Sequence, residues 1–255
     1  MLWYKSWLET RWRFLIGLVL LICSALSTVF TYPQVMKLLP MAQHLPVNVS
    51  GEIGRRIREA VELSRSFQGH VWSNWFRQNL PQTWTLFAVL IGTGGFLSHS
   101  TGGGTLFTLS MPVSRNRLLG VRSTMGLIEL FALAFVPSIF IPLFSPAIGQ
   151  HYGVGSVLVY SACLFIAGSV FFSLAALLST MFSDIWRPLL IALAIAIGLS
   201  IVEQLSQISF GIFHVMHGES YFRTGALPWA GLLASAALSV ALQYAAATNI
   251  TRRDF

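Results

Sequence analysis

The 255-residue chain is 55% hydrophobic and only 10% charged, against about 25% charged residues in an ordinary soluble domain, which excludes a free-standing water-soluble fold. Its net charge of +7 comes from 16 Lys and Arg spread over a mostly apolar chain, a distribution that suits loops at an anionic membrane face and excludes a nucleic-acid-binding role. Cys23 and Cys163 both lie within apolar runs, where they act as small hydrophobes and give no sign of a disulfide or metal framework.

A membrane-spanning helix needs about 20 mostly apolar residues. Before the first such run, residues 1–13 combine Trp3, Trp7 and Trp12 with Lys5, Glu9, Arg11 and Arg13, the composition of an interfacial helix. Apolar runs follow near 14–32, 82–99, 123–145, 156–181, 188–209 and 226–247. The first is read as a retained helix, because no small-residue cleavage pattern leads into a polar mature start. The chain is thus expected to be an all-α polytopic membrane protein, a single transmembrane domain over 1–255 with six transmembrane helices.

Between the first two runs, the 33–81 loop carries Ile53, Ile57 and Val61 at four-residue spacing with Leu63 and Phe67 beside them, which predicts an amphipathic surface helix. Trp72, Trp75, Phe76 and Trp84 are expected to bring the chain back to the membrane interface. Pro137, Pro142 and Pro146 should kink or end the third span, since each removes a backbone donor.

With six spans both termini share one side. Lys5, Arg11, Arg13, Arg115, Arg117, Arg122, Arg187, Arg252 and Arg253 gather there, while the short loops opposite hold only Arg223. The positive-inside rule makes the termini cytoplasmic, although the 33–81 loop, with its interleaved Arg and Glu, would then lie outside. Glu129 and Glu203 are the acids inside apolar runs, and such residues are default candidates for a translocation path or for helix packing.

Enzyme chemistry has little to stand on. There is no Gly-x-Ser-Gly nucleophile, no His-Glu-x-x-His zinc motif and no Lys-containing phosphate loop in the Gly-rich stretch from Gly92 to Gly104. His214, His217 and Glu219 are read as loop residues, with no metal assigned to them.

The most specific stretch begins at Ser100 and ends at Gly120. Its glycines are followed by apolar residues at 106, 107, 109 and 111, a break at Pro112 and an N-cap candidate at Ser114, a pattern that makes a short amphipathic helix or a turn at the membrane surface. Gly104-Thr105-Leu106 and Leu109-Ser110-Met111-Pro112-Val113-Ser114-Arg115 resemble the loop between helices two and three of ABC-2-type transporter permeases, in order and spacing. The charged amino-terminal helix, the six spans and the Arg252-Arg253-Asp254-Phe255 tail are similar to that family as well. His99 and Ser100 stand where members often carry an acidic residue.

The resemblance implies an ATPase-coupling loop within 100–122, a short cytoplasmic coupling helix that uses Gly104, Thr105, Leu106, Met111, Pro112, Val113, Arg115 and Arg117. It implies a permease homodimer or heterodimer in the cell inner membrane, of exporter type, served by two copies of a separate ABC ATPase subunit. ATP and Mg would be bound by that partner, and no cofactor by this chain. The other expectations from the sequence are a non-transporting scaffold or mechanotransmission module with the same fold, and an unrecognised intramembrane enzyme.

Overall fold

The computed structural model describes residues 2–43, 61–93, 115–182, 184, 186–206 and 211–252. Among them every regular element is helical. Helix α1 is Leu2–Gln43, α2 is Phe67–Val71, a π-helical segment runs over Trp72–Asn79, and α3 is Leu80–Gly92. Helix α4 is Arg115–Phe144, followed by a 3-10 turn at Ser145–Ile148, and α5 is Val154–Met181. Then come α6, Trp186–Ser206, the short α7, Ile212–Met216, and α8, Glu219–Thr224, and finally α9, Trp229–Arg252.

Five of these, α1, α4, α5, α6 and α9, are long and apolar enough to cross a membrane. The sixth expected span, 82–99, falls partly outside the described residues. Its described part, α3, is 13 residues long and continues back through the π segment to α2, so the chain is helical from 67 to 92 but apolar only in its second half.

Hydrogen bonds and ring contacts fix the directions. Thr10 meets Glu129 and Phe30 meets Phe144, so α1 and α4 run parallel. Ser239 meets Ser173 and Asn249 meets Thr180, so α5 and α9 run parallel to each other. Trp84 reaches Leu130 while Trp75 reaches Ser138, so the 67–92 run is antiparallel to α4. Both ends of the described chain therefore lie at one end of the bundle, called here the terminal end.

Helix α5 is the most buried of the five and α6 the most exposed. Glycines set the spacing around α5. A Cβ on Gly168 would collide with the Trp84 ring, and one on Gly126 would approach the Phe172 ring within 2.7 Å. Small residues of this kind let membrane helices approach closely where lipid provides no hydrophobic drive for association.

The structure corrects two expectations. The amino-terminal segment and first span are one helix, α1, which continues past Pro33 and Pro40 instead of giving way to a loop at 33. Its 42 residues extend about 63 Å at ~1.5 Å each, twice the hydrocarbon thickness of ~30 Å, so α1 must project from the bilayer. The tryptophans placed at the interface are instead core: Trp72 is 1% exposed, Trp75 and Trp84 0%. Each indole is satisfied, with Nε1–H donating to the His217 carbonyl at 3.1 Å, the Ser138 hydroxyl at 3.3 Å and the Leu130 carbonyl at 3.0 Å, respectively. Pro137 and Pro142 lie inside α4, and the helix ends at Phe144, at the turn that contains Pro146, where the sequence expected the third span to end.

Pro81 accounts for the π segment. Proline has no N–H and its ring crowds the carbonyl four residues back. The wider π turn ahead of it gives the Leu80 N–H to the Trp75 carbonyl, five residues back, and makes room for that ring.

Candidate functional site

A buried polar cluster lies at the terminal end, where α1, α3 and α4 meet. Glu129 projects from α4 and is 2% exposed. Its Oε1 accepts a hydrogen bond from the Thr10 hydroxyl of α1, and its Oε2 has no partner among the described residues. Thr10 can also turn to the Ser6 carbonyl at 3.2 Å, the usual back-bond of a helical threonine.

Two arginines frame this contact. Arg122, two helical turns before Glu129 on the same face of α4, pairs with Glu9 of α1 at 3.4 Å. Arg13, one turn beyond Glu9, donates from Nη1 to the Leu90 carbonyl at 2.7 Å. That carbonyl is among the last of α3, where helix C-termini leave acceptors unpaired and favour positive charge. Arg11 lies beside the Trp12 ring at 5.5 Å. Glu129 thus sits at the level of Thr10, four residues ahead of the apolar run that starts at Phe14, in the charged layer of the bundle. The sequence pointed to the acid, and α4, which starts at Arg115, places it about four turns from the helix start.

The polar layer continues across the bundle. The Ser123 hydroxyl donates to Gln243 Oε1 at 3.1 Å, Gln243 Nε2 donates to the Ser173 hydroxyl at 3.3 Å, and Ser173 and Ser239 share a hydrogen bond of 2.7 Å. These bonds join α4, α5 and α9. None of these residues stood out in the sequence, because isolated Ser and Gln within apolar helices are common as interhelical glue.

Glu203 lies at the opposite end and is separate from this cluster. Its Oε2 accepts the backbone N–H groups of Phe213 at 3.0 Å and His214 at 3.2 Å, so an acid from α6 caps the first turn of α7. His214 Nδ1 lies 3.3 Å from Glu219 Oε2, and Glu219 Oε1 pairs with Arg223 at 2.8 Å. Among the described residues no three His, Cys, Asp or Glu side chains are grouped to hold a metal ion. His217 is partly buried; burial first, then Arg77 and His214, push its pKa down from 6.5 to about 3.

Gly104, Thr105, Leu106, Met111, Pro112 and Val113 lie outside the described residues. Arg115 opens α4, and Arg117, two residues on, is exposed at the terminal end. Comparison with protein-family models, with curated proteins and with solved structures returned no match.

Proposed function

We propose that the chain is the permease subunit of an ABC transporter, an exporter that forms its path as a dimer and is driven by a separate ATPase. The observation that carries this reading is the Leu-Ser-Met-Pro-Val-Ser-Arg stretch over 109–115, between the second and third helical runs, in a chain with several membrane-crossing helices.

The terminal-end cluster supports it. Residues 94–114 are flanked by the end of α3 and the start of α4. Arg13 holds the Leu90 carbonyl of α3, while Arg122 and Glu129 hold Glu9 and Thr10 of α1. A push on the intervening segment would therefore be delivered to three helices at once, which is what coupling to ATP binding in a partner requires. Thr10, Arg13 and Arg122 are transmission residues in this reading, and hydrolysis belongs to the partner.

The test is co-purification of ABC ATPase subunits with the tagged chain from its own cells, for the wild type and for Arg115→Glu with Arg117→Glu. The wild type should bring down ATPase activity that the isolated chain lacks. A desolvated charge pair loses about 2–5 kcal/mol on truncation and a rim pair under about 1, so reversing both charges should remove most of the partner while membrane insertion persists. Full retention of the ATPase by the double variant would reject docking through this loop.

A further inference from the structure

The carboxylate of Glu203 joins two elements that share little else. Helix α6, which carries it, is the most exposed of the five apolar helices, with Leu190, Ile197, Ile201, Val202 and Leu205 facing outward. Helix α7 and the α8 that follows form a short hairpin fastened firmly elsewhere. The Phe222 ring stacks on Trp72 at 4.2 Å and 6°, the His217 carbonyl accepts the Trp72 indole N–H, and Tyr221 meets Tyr160 of α5 edge-on at 5.5 Å.

Gly211 shows how closely the acid is seated. A Cβ there would fall on the carboxyl carbon and Oε2 of Glu203, so only glycine lets the carboxylate reach the free N–H groups of α7. A carboxylate on such groups forms charge-assisted bonds and meets the positive end of the peptide dipoles.

We infer that Glu203 is a latch: its carboxylate ties the sparsely packed α6 to the hairpin of α7 and α8, so that α6 moves with the hairpin while the latch is closed and independently of it once the latch opens. This inference does not depend on the transporter reading. An element with few buried contacts draws its local stability from a small number of bonds, and the bonds from Glu203 to the Phe213 and His214 amides are among those that tie α6 to the hairpin.

The test is amide hydrogen exchange of the full chain in lipid nanodiscs, for the wild type, Glu203→Ala, Gly211→Ala and the pair together. Each single change should speed exchange of the amides at 212–217 and of the last turn of α6 by about tenfold or more, with α5 and α9 unchanged. The pair should match Glu203→Ala alone, since the added methyl has no carboxylate left to displace. Glu203→Gln keeps an acceptor and should raise exchange less than Glu203→Ala does. Unchanged exchange at 212–217, equal effects of Gln and Ala, or accelerated exchange throughout α5 would each overturn the latch, the last by making Glu203 a general support of the fold.

Discussion

Glu129 and Glu203 show how an acid in an apolar helix takes its role from partners on another element, far off in the chain for Glu129 and about ten residues away for Glu203. Thr10 is 119 residues from Glu129, so no local pattern could announce the contact, whereas the oddity of each acid was plain from the sequence. The orphan Oε2 of Glu129 leads to an inverted expectation for two substitutions. Glu129→Leu buries no polar atom, and Thr10 falls back on the Ser6 carbonyl. Glu129→Gln places an NH2 group where one oxygen lacked a donor, and a buried unsatisfied donor costs about 1–3 kcal/mol. The amide should therefore melt no higher than the leucine variant in detergent, as measured by thermal unfolding. A clearly more stable Gln variant would place an acceptor in the segments that flank the cluster.

His217 yields a prediction with a definite sign. With its folded pKa near 3 and an ordinary value of 6.5 when the hairpin opens, the opened state binds more protons between those limits, and stability falls as pH falls through that window. Lowering the pH from 7.5 to 4.5 should loosen the hairpin and lessen the quenching of Trp72 by its neighbours. His217→Gln should lose that dependence while keeping the Trp72 bond, because the acceptor is the backbone carbonyl. Persistence of the pH effect in the variant would assign it to another group.

At the scale of elements, the aromatic-rich stretch from Trp72 to Trp84 was the hardest to read. Trp beside Asn, Arg and Gln is the composition of an interface, yet here each indole finds an acceptor on another element and the Trp84 ring fills the space that Gly168 leaves open. Composition carries the polar handle of Trp and leaves out the acceptor that meets it. The prediction concerns that fit. Gly168→Ala should destabilise the bundle, since the added methyl strikes the outer ring of Trp84, and steric overpacking costs about 1–3 kcal/mol. Trp84→Phe removes much of that ring together with the bond to Leu130. The two changes combined should cost less than the sum of their separate effects, a coupling that a double-mutant cycle on unfolding midpoints measures. Additivity would mean that the two side chains do not touch.

The continuation of α1 past Pro33 has a similar lesson. At this level Tyr32 packs on Phe67 at 5.1 Å and donates to the Arg65 carbonyl at 3.4 Å, contacts that hold the helix against its neighbours. The sequence shows the missing N–H of Pro33 and gives no view of those contacts. In contrast, α5 and α9 follow their apolar runs closely, because 20 or more apolar residues leave a chain in lipid no other way to satisfy its backbone.

At the scale of the whole molecule, the parallel pairing of α1 with α4 and of α5 with α9 puts Arg117 and Arg187 at the terminal end, and Ser66 and Ser220 at the other. The positive-inside rule predicts that the terminal end faces the cytoplasm, yet the 33–81 segment has its own arginines, and charge bias is a count over short loops and not a law for each one. A geometric test settles it. Ser66 is exposed and caps α2, while Arg117 is exposed on the first turn of α4. With Cys23 and Cys163 replaced by Ser or Ala, single cysteines at 66 and 117 should react differently with a membrane-impermeant thiol reagent. In intact cells only the cysteine at 66 should label, and permeabilised cells should label at both. Since the bundle directions fix both sites relative to each other, labelling of both in intact cells would argue against a membrane-crossing α1, which is what separates the two ends. Labelling at 117 alone would invert the whole chain, place both termini outside, and leave a segment at 94–114 that no cytoplasmic ATPase could reach.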